Sequence, residues 1–120
     1  MNENAKRKYT IAPTTQFRKD CKKVQKQSRK KELLQKVVDQ IAQGKPLPEK
    51  HRDHELSGIW TGYRECHIAP DWMLIYRLDT EVLAMTLART GSHSDIFQSG
   101  AAKMHSLIKE KAAIGGFSFT

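Results

Sequence analysis

Four of the chain's five histidines, His51, His54, His67 and His93, fall between residues 51 and 93, in company with Asp71, Arg64, Arg89, Trp60 and Trp72. Imidazole takes up and returns protons near pH 7, so it is the natural side chain for acid–base work there. An RNA strand brings its own nucleophile, the 2′-hydroxyl beside each phosphate. Its cleavage needs a base for that proton, an acid for the departing 5′-oxygen, and a cation where charge gathers on the phosphate. Histidine, aspartate and arginine supply all three with no metal and no covalent intermediate, and an aromatic ring can stack on a base splayed from the strand. The same imidazoles could hold zinc, but no Cys-x-x-Cys or His-Glu-x-x-His pattern accompanies them, and Cys21 and Cys66 stand far apart. Neither a metal nor a cofactor is expected. Singly, each residue also has a plain structural reading: His51, His54 and His93 in loops, His67 half-buried in a strand, Asp71 as a turn residue after Pro70. The set as a whole is what suggests a site.

Charge points the same way. The 120 residues carry 21 Lys and Arg against 13 Asp and Glu, a net of +8. Residues 1–50 hold fourteen bases and five acids, a net of +9, whereas residues 51–120 are nearly balanced at −1. A basic half that attracts phosphate is one reading, and a solvated helix face is the other. With 38% hydrophobic and 28% charged residues, the chain can build one modest core. Its longest apolar run, residues 72–76, is far too short to cross a bilayer, and no apolar stretch follows the basic residues at the start. With no disulfide framework in view, a reduced, cytoplasmic protein is expected, with no membrane partner.

These residues need a scaffold, and the pattern supplies one. Residues 9–12 have strand character and Pro13 stops them. Thr14 or Thr15 can cap a helix with Phe17, Cys21 and Val24 on its apolar side. Ser28 can cap a second, whose stripe is Leu33, Leu34, Val37, Val38 and Ile41, closed by Gly44 and by Pro46 and Pro48. Residues 63–69, 72–78 and 82–90 then read as strands, separated by connections too short for crossovers. A two-residue turn at Pro70-Asp71 would set Cys66 opposite Ile75 and His67 opposite Leu74, with Cys66 and Ile68 on one face and His67 on the other. The middle strand is apolar on both faces, so pattern does not say which one meets the helices. The expected fold is α+β: a β-α-α-β-β-β chain in which a helical hairpin packs on one face of a twisted antiparallel sheet. Residues 98–120 read as an appended tail or short helix with Ala101, Met104, His105 and Ile108 on one side.

The ordered run Gly58-Ile59-Trp60-Thr61-Gly62-Tyr63-Arg64, then His67, then Pro70-Asp71-Trp72, resembles the signature of the YafQ-type branch of the RelE/ParE toxin superfamily. The lead-in from His54 to Gly58 and the block Arg89-Thr90-Gly91-Ser92-His93, closed by Phe97, agree. The resemblance spans residues 9–97, so a toxin domain at 1–97 and an extension at 98–120 are expected. It implies a RelE-like fold and a ribosome-dependent endoribonuclease that cuts mRNA in the A site and is held by a co-expressed acidic antitoxin. Carried over by position, His93 is the general acid and Asp71 the general base, or the reverse. His54 and His67 position the scissile phosphate, and Arg89 stabilises the developing charge. Phe97 and Trp72 stack on or shape the base pocket, with core packing an equal reading for Trp72, and Arg64 stands with them at the substrate. Lys22, Lys23, Lys26, Arg29, Lys30 and Lys31 are expected to grip ribosomal RNA, since phosphate contacts position without specifying. Two rivals remain. The ParE branch inhibits DNA gyrase on the same fold without the histidines, and a basic RNA- or ribosome-binding domain would do no chemistry.

Overall fold

A computed structural model describes residues 7–97, so the expected extension at 98–120, with its short helix, lies outside the described residues. The first strand, β1 (Thr10–Pro13), ends where proline removes a ladder donor. Thr14 then caps α1 (Thr15–Lys26): its hydroxyl oxygen accepts the Phe17 N–H at 3.0 Å. Phe17 and Val24 are buried and Cys21 is half-buried beside them. The turn to α2 (Lys31–Ala42) differs from expectation. Ser28 lies in the left-handed region at φ 61° and cannot serve as the extended capping residue; Lys30 takes that place without a side-chain cap bond. Along α2, Leu34, Val37, Val38 and Ile41 are buried as the stripe requires, but Leu33 remains 44% exposed. Gly44 at φ 79° closes the helix by donating to Ile41 O at 2.9 Å, and a Cβ there would press on the Lys8 side chain at 3.0 Å.

The sheet has five strands in the order β1-β5-β4-β3-β2, where β2 is His54–Glu55, β3 Arg64–Ala69, β4 Trp72–Asp79 and β5 Ala84–Gly91. Four of them run antiparallel, but β1 joins β5 parallel, with Thr10 opposite Ala84 and Pro13 opposite Leu87. β2 has too few residues to leave an alternation in sequence. β5 starts two residues later than the pattern suggests, because Leu83 sits at φ 53° in a turn whose Glu81 and Val82 N–H groups both donate to Asp79 Oδ1.

The register of the β3/β4 hairpin is also shifted. Ala69 does face Trp72 across a two-residue turn, but a bulge at Ile68 places His67 opposite Met73 and Cys66 opposite Leu74. That one residue decides a face. Trp72, Leu74 and Tyr76 pack with Phe17, Leu34 and Val38 under the helices, whereas Met73 and Ile75 pack with Trp60, Tyr63, Ala88 and Ile96 on the other side. The bulge therefore keeps Cys66 and Ile68 in the helix-side core and turns His67 to the opposite face. That second face is covered thinly, by a 3₁₀ turn at Gly58–Trp60 and by α3 (His93–Phe97). No helix of the described residues is long and apolar enough to cross a membrane.

Candidate active site

The three histidines of the second face come from three elements in register. His67 on β3, Met73 on β4 and Gly91 on β5 stand in one row across the sheet. Neighbouring strands lie about 4.8 Å apart, so His67 and the chain leaving Gly91 towards His93 are separated by only two strand spacings. His54 lies opposite Glu65, the residue two before His67 on the same face. Its Nδ1 is 2.6 Å from Arg52 O and its Nε2 is 3.5 Å from Glu65 Oε1, so a carbonyl and a nearly buried carboxylate fix the ring. α3 begins after Ser92, whose Oγ accepts the Asp95 N–H at 3.1 Å. His93 is exposed at its start, and its ring lies 4.8 Å from that of Phe97, which in turn stands edge-on to Trp60 at 6.5 Å. His54, His67, His93 and Phe97 thus share one open face.

Asp71 projects from the β3/β4 turn with 73% of its side chain exposed. Its charged neighbour is Arg29, from the connection between the helices, whose guanidinium is 4.0 Å from the carboxylate and 5.7 Å from the centre of the Trp72 ring. Arg29 is distant from Asp71 in sequence, and only the folded turn brings them together.

Three expected site residues are engaged elsewhere. Trp72 is 1% exposed and donates from Nε1 to Thr90 Oγ1 at 2.9 Å, so it packs in the core and offers no face to a base. Arg89 is 5% exposed and locked to Asp20 through Nε at 2.7 Å and Nη2 at 3.2 Å. Asp20 also accepts the Thr90 N–H at 3.1 Å. The reason is geometric: β1 covers β5 only as far as Leu87, and α1 runs along the remaining edge, where Asp20 takes the place of a strand partner. Arg89 is therefore a clamp between α1 and β5. Arg64 donates to Asp53 at 3.3 and 3.2 Å, and Tyr76 donates to the same carboxylate at 2.5 Å. Burial, then the bond to Asp53, hold the Tyr76 phenol protonated far above its usual range. The trio pins Asp53, the residue just before His54.

Sequence reasoning missed Asp20, Asp53 and the reach of Arg29. Asp20 did leave a signal: it lies three residues after Phe17 and four before Val24, a lone acid on the apolar side of a basic helix. His51 holds its Nδ1 2.6 Å from His67 O at the sheet edge. Neither thiol is disposed to ionise. Burial and then the neighbouring Asp20 push Cys21 up to about 12, and burial pushes Cys66 higher still.

A model of the family described as the bacterial toxin of type II toxin–antitoxin systems, YafQ, matches residues 9–98. The chain belongs to the YafQ toxin family. It is 39% identical over 83 residues to the mRNA interferase toxin YafQ of Escherichia coli K12, covering 68% of this chain and 88% of that protein. The crystal structure of YafQ from E. coli BL21(DE3) superposes with a TM-score of 0.70 at 34% identity, over 74% of this chain and 98% of that one. The toxin in the E. coli DinJ-YafQ toxin–antitoxin complex gives 0.69 at 35% identity, over 75% and 98%. The α+β fold of this YafQ-family toxin is thus shared, five-stranded sheet included.

Proposed function

We propose that the chain is the toxin of a type II toxin–antitoxin system and acts as a ribosome-dependent, metal-independent endoribonuclease on mRNA in the A site. The observation that carries this is the gathering of His54, His67, His93 and Phe97 on one face of the sheet, with the Asp71 carboxylate exposed at the tip of the β3/β4 turn. His93 protonates the leaving 5′-oxygen and Asp71 takes the 2′-hydroxyl proton, or the two exchange roles. His54 and His67 hold the phosphate, and Phe97 offers the accessible ring for stacking. With Arg89 committed to Asp20, Arg29 is the cation available beside Asp71. Lys22, Lys23, Lys26, Lys30 and Lys31 lie on or between the helices and meet ribosomal RNA. The activity resides in residues 1–97, with 98–120 an appendage, in the cytoplasm and under the control of an acidic antitoxin. The E. coli relative's name and its complex with DinJ support the activity and the partner.

The test is induction in a bacterium followed by mapping of mRNA 5′ ends. Codon-phased cuts in translated messages are expected. Intact messages with DNA damage would instead make the protein a gyrase inhibitor, and arrested translation without cuts would leave a binding domain.

A further inference from the structure

His51 is the one histidine between residues 51 and 93 to which the reading above gives no part, and the fold sets it against two that have one. β2 and β3 pair His54 with Glu65, and in the same ladder the Leu56 N–H donates to Tyr63 O at 2.9 Å. Bonded pairs recur at every second residue of an antiparallel ladder, so two residues beyond His54 the Arg52 N–H would meet His67 O. The chain leaves the sheet before that happens. A 3₁₀ turn forms at Glu49–His51 after Pro48, and Arg52 closes it in the left-handed region at φ 47° and ψ 45°. The Arg52 N–H is spent on Glu49 O at 2.9 Å. His67 O thereby loses the donor the ladder would have given it, next to the bulge at Ile68, and the half-buried His51 ring takes that place with Nδ1 at 2.6 Å.

The same turn orients His54. Arg52 O lies 2.6 Å from His54 Nδ1, and a carbonyl oxygen only accepts, so Nδ1 carries the proton in both His51 and His54. In the neutral His54 ring that leaves Nε2 bare, 3.5 Å from Glu65 Oε1. Two short bonds and one left-handed residue therefore run from the His67 carbonyl through His51 and Arg52 to the His54 ring. A non-glycine residue in that conformation is strained and keeps it only while its surroundings hold it. We propose that His51 is a positioning residue for the reaction. It anchors the turn to the strand of His67 and so keeps the His54 ring in one tautomer and at one angle to His67, with Nε2 left to meet the substrate. The inference rests on the endoribonuclease reading and adds how two of its imidazoles are held in common.

The test compares His51→Leu and His51→Asn in the full chain. Leucine removes the donor, whereas the asparagine amide nitrogen stands where Nδ1 does and can still donate to His67 O. In His51→Leu, kcat on programmed ribosomes should fall about tenfold or more while KM stays within about twofold, because a reacting group is displaced and no substrate contact is lost. His51→Asn should recover most of that rate. Combined with His54→Ala or His67→Ala, His51→Leu should cost less than it does alone, since the group it positions is already gone. Wild-type kcat in His51→Leu overturns the proposal, as does an asparagine variant no better than leucine. Losses that multiply in both combinations make His51 a purely structural tie, and the proposal falls. Heteronuclear NMR of the histidine rings reads the tie without reference to cleavage. The His54 ring should carry its proton on Nδ1 in wild type and lose that preference in His51→Leu, and an unchanged ring in the variant sinks the proposal. If wild type cuts no mRNA but its His54 ring responds in this way, the activity reading fails and the tie between the rings stands.

Discussion

The single strand β4 serves two faces built in opposite ways. Trp72, Leu74 and Tyr76 lie under two twelve-residue helices, while Met73 and Ile75 lie under a three-residue turn and a five-residue helix. Charged pairs differ as much in depth. Arg89 and Asp20 are both nearly dry and bonded to each other, whereas Asp71 at the hairpin tip is exposed, with the Arg29 guanidinium 4.0 Å away. Deep cover fixes a framework. Thin cover leaves imidazoles near solvent where a substrate can reach them, the accessibility that acid–base chemistry needs.

The comparison is sharpest when one side is broken without the other. Replacing His93 or Asp71 with alanine should lower mRNA cleavage by about 10²–10⁴ each, the usual contribution of a positioned acid or base. The melting temperature should hardly move, because both side chains are largely in solvent. If either variant cleaves like wild type, that residue loses its role. Asp20→Ala should do the reverse. It strands the Arg89 guanidinium and the Thr90 N–H in the interior, at a cost of about 3–5 kcal/mol measured by urea unfolding. Adding Arg89→Met should recover much of that loss. A single Asp20→Ala protein as stable as wild type would show that the clamp is not structural.

Tyr76→Phe tests the link between the two regions. It removes one buried hydroxyl from Asp53, beside His54, for about 0.5–1.5 kcal/mol of stability. Because Arg64 still holds Asp53, His54 should shift only slightly, and cleavage should fall severalfold through kcat with KM little changed. A loss confined to stability would detach this trio from the site.

The helix hairpin was legible because its stripes are long and periodic, and Thr14 announced its cap. The histidines were legible by type and by their place in a recurring pattern of residues. What sequence could not supply was register. A single extra residue at Ile68 reverses which face His67 takes, and no side-chain pattern on a strand apolar on both faces records it. The partners of arginines were equally hidden. Arg89 and Arg29 are the same residue type in a basic chain, yet the fold sends the first into the interior against Asp20 and the second over Trp72 towards Asp71. The first of these follows from where β1 stops along β5, a tertiary fact.

The smallest expected effect lies at the tether between the two regions. Lys23 of α1 reaches Asp95 of α3 at 2.8 Å, in an exposed pair that ties the helix side to the short helix bearing His93 and Phe97. The Lys23 ammonium, helped by the Ser92 hydroxyl, holds the Asp95 carboxyl below its ordinary value near 3.8. A depressed carboxyl contributes stability that is present above the ordinary value and lost as pH falls through the folded one. Asp95→Asn should therefore cost less than about 1 kcal/mol near neutrality, as exposed pairs do. The difference from wild type should close in strong acid and in high salt, where protonation or screening removes from wild type the pair that the variant already lacks. A gap in melting temperature that persists under both conditions would mean that Asp95 supports α3 through its packing beside Gly91, where its Cβ already stands 3.4 Å from the place a side chain would begin, and not through charge.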